Sequence, residues 1–182
     1  MKSWRFYLAI GIGCCALLAG SASHAQSREV IDAGVQQTLQ QFNLLDSRHV
    51  GLENRAAGIL IFPKVTKGGV AIAAEYGEGV LQVNGATVGY YSLASASVGL
   101  TAGMASRSEI ILFMTQEALN HFMKSPKWSI GAGTGIALVS KGAGRDYDTN
   151  TLKKPVLGFV FGEKGLMADL SLEGSKINKI NK

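Results

Sequence analysis

Residues 68–103 read GGVAIAAEYGEGVLQVNGATVGYYSLASASVGLTAG, two apolar-rich runs that meet at Asn84-Gly85. A two-residue Asn-Gly loop supplies the positive φ angles of a type I′ turn, so the stretch predicts one long β-hairpin. Pairing outward from that turn sets Val83 against Ala86, Leu81 against Val88 and Gly79 against Tyr90, with Gln82 and Thr87 on the other face. Gly77, Gly79, Gly89 and Gly99 weaken a flat strand but permit bends and bulges, and Tyr90 would cover the bare backbone of Gly79. The small-residue run Ser92-Leu93-Ala94-Ser95-Ala96-Ser97 suits a crowded barrel wall. The expected class is α+β: a strongly curved, mostly antiparallel, barrel-like sheet with an N-terminal amphipathic helix and one or two short helices.

Upstream, Val30, Ile31, Val35, Leu39, Phe42 and Leu45 recur at three- and four-residue steps between glutamines, which predicts an amphipathic helix over 28–46 capped by Ser27. A short helix over about 49–57 follows. Gly58 to Pro63 is an apolar run stopped by proline, read as a strand buried on both faces, with 64–69 as the turn into the hairpin. Downstream, Ser108 to Met114 predicts another buried strand, and Thr115 caps a helix over 116–124 that Ser125-Pro126 ends. Residues 128–140 alternate small and apolar types, 141–154 form a polar loop or an irregular hairpin end, and 155–161 and 166–172 form a last strand pair. Residues 174–182 read as a lysine-bearing tail.

The first 25 residues are a different object. Lys2 and Arg5 lead an apolar stretch from Phe6 to Leu18, then small residues ending in Ser23-His24-Ala25, the layout of a secretory signal cleaved between Ala25 and Gln26. A single domain over 26–182 would remain, in the periplasm and peripheral to a membrane. Both cysteines, Cys14 and Cys15, lie inside the signal, so the processed chain would have none; a lipoprotein anchored through Cys14 or Cys15 is the alternative. Removing two basic residues lowers the formal charge from +5 to +3. That mild excess tolerates anionic surfaces without the concentrated basic stripe of a nucleic-acid binder.

No catalytic constellation stands out. His49 and His121 are far apart in sequence and read as surface or helix-end residues, not a metal pair. Asp146-Tyr147-Asp148-Thr149-Asn150 opens like a calcium loop but has Thr151 where glycine belongs and Leu157 where the bidentate Glu belongs. Gly131, Gly133 and Gly135 lack the Lys-Ser/Thr of a phosphate loop. Glu75 and Glu78 fall on opposite faces of the first hairpin arm by parity. The more physical signal is basic: Lys64 and Lys67 flank one turn, Lys124 and Lys127 flank Pro126, Lys141 and Arg145 share a loop, and Lys153 and Lys154 adjoin. Trp128 and Phe62 lie beside two of these groups, an arrangement suited to a bilayer interface.

Six blocks in order carry a family resemblance: Gly58-Ile-Leu-Ile-Phe-Pro-Lys, Gly77-Glu-Gly-Val, Gly89-Tyr-Tyr-Ser, Ile111-Leu-Phe-Met-Thr, Pro155-Val-Leu-Gly-Phe-Val-Phe and Lys164-Gly-Leu-Met-Ala-Asp-Leu-Ser-Leu-Glu-Gly. Together they resemble the SYLF domain, also called the yeast-type actin-binding domain, in an exported bacterial form, over about residues 30–180. The resemblance implies a lipid-binding module, phosphoinositide-binding in eukaryotic members, some of which bind actin and remodel membranes. It implies no enzyme activity and no cofactor. Eukaryotic members use a basic amphipathic helix near the domain start; the corresponding helix here has only Arg28, with Arg48 beyond its end, against Glu29, Asp32 and Asp46. The expected function is therefore binding of anionic phospholipid or phosphoinositide-like head groups through the loop lysines and an apolar helix face. The alternative is a structural or protein-interaction role in the periplasm or outer membrane, with an envelope protein as partner. Neither actin nor nucleic acid is the expected partner of an exported chain.

Overall fold

The computed structural model describes residues 26–69, 72–98, 105–125, 127–131, 135–139, 150–162, 165–166 and 172–182. Helix α1 (Arg28–Leu45) starts where the Ser27 hydroxyl accepts the Val30 N–H, and buries Ile31, Val35, Thr38 and Phe42, the predicted three- and four-residue stripe. Helix α2 is Arg48–Arg55. The strands are β1 (Gly58–Gly68), β2 (Ile72–Val83), β3 (Ala86–Val98) and β4 (Ala105–Phe113); after α3 (Gln116–Lys124) come β5 (Lys127–Ser129), β6 (Ile136–Leu138), β7 (Val156–Gly162), β8 (Gly165–Leu166) and β9 (Lys176–Ile180). They form one curled half-barrel sheet in the order β5-β9-β3-β2-β1-β4-β7-β6, with β8 paired to β7. All pairs are antiparallel except β6 with β7.

Both faces of the sheet are covered at its centre, which is why residues 58–62 of β1, 110–113 of β4 and all of β7 are apolar. On one face α1 and α2 lie against Ile59, Ile61, Val80, Ile110, Leu112, Phe159 and Phe161. Where α1 crosses β1, Gly34 lets the backbone meet Pro63, since a Cβ there would stand 2.9 Å from the proline Cβ. On the other face α3 packs Leu119 and Phe122 over Leu60, Phe62, Leu81, Leu93, Ile111 and Phe113. Phe122 lies 4.9 Å from the Phe113 ring and meets Trp128 edge-on at 5.1 Å.

Three expectations need correction. The Asn84-Gly85 turn forms with φ of 51° and 76°, and Val83 faces Ala86 and Gln82 faces Thr87; beyond them Leu81 pairs with Gly89, not Val88, and Gly79 with Tyr91, not Tyr90. A bulge that leaves Val88 unpaired slides the second arm by one residue, and Tyr90 therefore turns to the α1 face. Residues 64–68 are not a turn: β1 runs through Pro63, which sits at a register shift against both neighbours, where its missing N–H costs no ladder bond. The C-terminal stretch is not a tail, because β9 inserts between β5 and β3. The expectations for Gly99, Gly133, Asp146 to Thr149 and residues 167–171 lie outside the described residues.

Candidate lipid-facing groove and buried charge clusters

α3 and the segments beside it enclose an open cavity of about 340 Å³ lined by Thr115, Glu117, Ala118, His121, Trp128, Pro155 and Val156. Three things bring these residues together. Thr115 caps α3, its hydroxyl accepting the Ala118 N–H; the Met114 N–H donates to Pro155 O at 2.8 Å; and β5 is tied into the sheet through Trp128 opposite Ile177. The chain neighbours of the lining are basic. Lys127 precedes Trp128, Lys153 and Lys154 precede Pro155, and Lys124 lies one helical turn beyond His121, all four exposed. No described carboxylate pairs with any of them. Met123, beside Lys124, is 52% exposed.

The fold thus brings the stretches that carry Lys124, Lys127, Lys153 and Lys154 beside one groove whose own lining includes Trp128 and Glu117. It leaves the other candidates elsewhere. Lys64 is exposed on the α1 face opposite Glu78, and Lys67 is occupied by an ion pair with Glu75 at 3.4 Å. Lys141, Arg145 and Ala25 lie outside the described residues. The aromatic expectation needs correcting too: Phe62 is fully buried and Trp128 only 7% exposed, so both belong to the core under α3, Trp128 showing one edge to the groove. His49 stands in the first turn of α2 but is buried, stacked on Phe42 at 3.9 Å, with Nδ1–H donating to the Phe42 carbonyl at 2.5 Å. His121 is exposed.

Sequence reasoning missed two buried ionic clusters. On the α3 face, Arg107 bridges Glu75 at 2.6 Å and Glu109 at 2.7 Å, and the Ser95 hydroxyl donates to Glu75 at 2.8 Å. Glu109 is fully buried, and its Oε2 has no hydrogen-bond partner. Burial pushes its carboxyl up to about 7, the Glu75 charge adds to this, and Arg107 only partly opposes it. Burial works on Glu75 in the same sense, but Arg107, Ser95 and Lys67 outweigh it and hold that carboxyl below its ordinary value. One signal was available: Glu109 is an acid directly heading the apolar run 110–114 within the predicted buried strand.

On the α1 face, as parity requires, Glu78 accepts from Lys182 Nζ at 2.7 Å, from Gln26 N–H at 3.0 Å and from the Tyr76 hydroxyl at 2.8 Å. These donors override burial and keep Glu78 below the ordinary carboxylate range, while burial and the Glu78 charge push Tyr76 up to about 12. Nearby, the Tyr90 hydroxyl donates to Asp32 at 3.0 Å and Arg28 lies 5.6 Å from the ring centre.

A curled α+β half-barrel with an open groove, beside which no described carboxylate pairs the neighbouring lysines, is the geometry of a binding module. Residues 94–182 match the family model Ysc84, described as Las17-binding protein actin regulator. That match, over the C-terminal 89 residues, is to the SYLF family that the sequence blocks resemble. No curated protein matches it.

Proposed function

We propose that this is an exported, non-enzymatic SYLF protein that binds the surface of membranes carrying anionic phospholipid, through the α3 end of the half-barrel. The observation that supports this most is that the stretches bearing Lys124, Lys127, Lys153 and Lys154, none with a carboxylate partner among the described residues, meet beside a groove of about 340 Å³ lined by their chain neighbours Trp128 and Pro155. An unpaired ammonium near an anionic surface contributes on the order of 1 kcal/mol. Met123 supplies an exposed apolar side chain that enters the interfacial layer as the lysines settle on phosphates, and the groove gives a head group a partly apolar seat. No helix among the described residues is long and apolar enough to cross a membrane. The actin regulation named in the family description concerns other members; for an exported chain the shared domain points to lipid.

Vesicle co-sedimentation tests this. Replacing the four groove lysines by alanine should weaken binding to anionic vesicles at low salt by about three orders of magnitude, at ~1 kcal/mol per lysine and ~1.4 kcal/mol per tenfold. Lys64→Ala, exposed on the other face, should leave binding within about twofold. Binding that ignores vesicle charge, or that survives loss of the four lysines, refutes the proposal; recovery of one stoichiometric envelope protein without lipid would replace it with the protein-interaction reading.

A further inference from the structure

We infer that Gln26 is the first residue of the processed protein and that Glu78 is the built-in receptor for its α-amino group. The leader pattern alone places cleavage between Ala25 and Gln26. The surroundings of Glu78 are a separate observation. Gln26 N lies 3.0 Å from Glu78 Oε2, and Lys182 Nζ lies 2.7 Å from that same oxygen and 2.7 Å from the Gln26 carbonyl oxygen, to which it donates. Tyr76 takes the remaining oxygen, Oε1, at 2.8 Å. The Glu78 side chain is 4% exposed and that of Lys182 9%. Residues 156 positions apart are thus clamped to one buried carboxylate against the α1 face.

Processing changes the charge of the donor and leaves its position alone. When a leader peptidase hydrolyses the Ala25–Gln26 bond, the oxygen of water joins the Ala25 carbonyl carbon, which departs as a carboxylate. The Gln26 nitrogen takes up protons and becomes an α-ammonium. An amide N–H to a carboxylate then becomes an ammonium to a carboxylate, with both partners charged and the contact already largely desolvated. The latch is complete only when residue 26 is terminal. Protection of the terminus follows as well. A free N-terminal glutamine cyclises when its neutral amine attacks its own side-chain carboxamide carbon and expels ammonia; a nitrogen held as ammonium by Glu78 has no lone pair for that attack.

The test compares the chain beginning at Gln26, released from a removable fusion, with the same chain carrying Gly-Ser ahead of Gln26, each in wild-type and Glu78→Gln backgrounds. The extension should lower Tm by about 2–6 °C in the wild type and by no more than about 1 °C in the Glu78→Gln background, where the lost contact has no charged partner. An equal shift in both backgrounds, or none in the wild type, overturns the inference. Should Glu78→Gln fail to fold, amine labelling decides. With an activated ester near neutral pH, the α-amine of the folded wild type should react at least about tenfold more slowly than that of a peptide with the same first residues; reaction at the peptide's rate overturns the inference.

Discussion

Arg107→Met should destabilise the protein by about 3 kcal/mol at pH 8 and by distinctly less at pH 5. Removing one partner of a buried ion pair costs ~3–5 kcal/mol because the other charge is left uncompensated. Here the low end is expected, since Glu75 keeps Lys67 at 3.4 Å and the Ser95 hydroxyl at 2.8 Å. Glu109 has no such reserve. Arg107 is its one described partner, and its Oε2 is already unsatisfied. At pH 8 the variant must bury a lone carboxylate or take up a proton against the solution; at pH 5 Glu109 is protonated with or without Arg107. Urea unfolding at the two pH values measures the difference. A cost independent of pH would mean that Arg107 acts through packing alone.

Glu109 also gives the pH profile a definite sign. Its folded value of about 7 lies above its ordinary 4.5, so the fold prefers the protonated form. Its stabilising contribution is fully present below about pH 4.5 and is lost as pH rises through about 7, up to ~3 kcal/mol at ~1.4 kcal/mol per unit. Glu75 and Glu78 are shifted the other way and contribute above their ordinary values, losing that contribution on acidification. Glu109→Gln removes only the first effect. Its stability relative to wild type should therefore move in its favour by up to ~3 kcal/mol between pH 4.5 and pH 8, the acid limb being common to both proteins. Parallel profiles would place the Glu109 proton elsewhere.

How far such clusters can be read from sequence depends on what carries the information. Asn84-Gly85 specified its turn because the required positive φ is a property of those two residues. The bulge at Val88 had no comparable local mark: it balances the curvature of the whole sheet, and it slid Tyr90 from Gly79 to Val80. Pro63 misled for the opposite reason, a strong local stop signal made harmless by a register shift that only pairing with β2 and β4 reveals. The parity of Glu75 and Glu78 was legible, but their partners were not. Arg107 is 32 residues from Glu75 and Lys182 is 104 from Glu78, and only strand order brings them together. The groove was half legible: each lysine group stood out beside its turn, while their shared location required α3, β5 and β7 to meet.

Gly79→Ala should be the most damaging of three glycine-to-alanine changes, at about 3 kcal/mol or more. A Cβ at position 79 would lie 2.0 Å from the Ile61 carbonyl oxygen, 2.8 Å from its carbon and 2.7 Å from a Phe62 ring carbon. Two of those atoms are backbone of the adjoining strand, beside the register shift that carries β1 past Pro63, so relief requires β1 and β2 to separate. Gly85→Ala meets nothing within 4 Å but holds φ at 76°, and should cost only about 1 kcal/mol of conformational strain. Gly51→Ala, inside α2 with open space around it, should stabilise by about 0.5–1 kcal/mol because alanine loses less chain entropy in a helix. Denaturant unfolding of the three variants separates steric collision, positive φ and helix propensity as causes. If Gly79→Ala fell within about 1 kcal/mol of wild type, the close approach of β1 and β2 would not be what demands glycine in this strand.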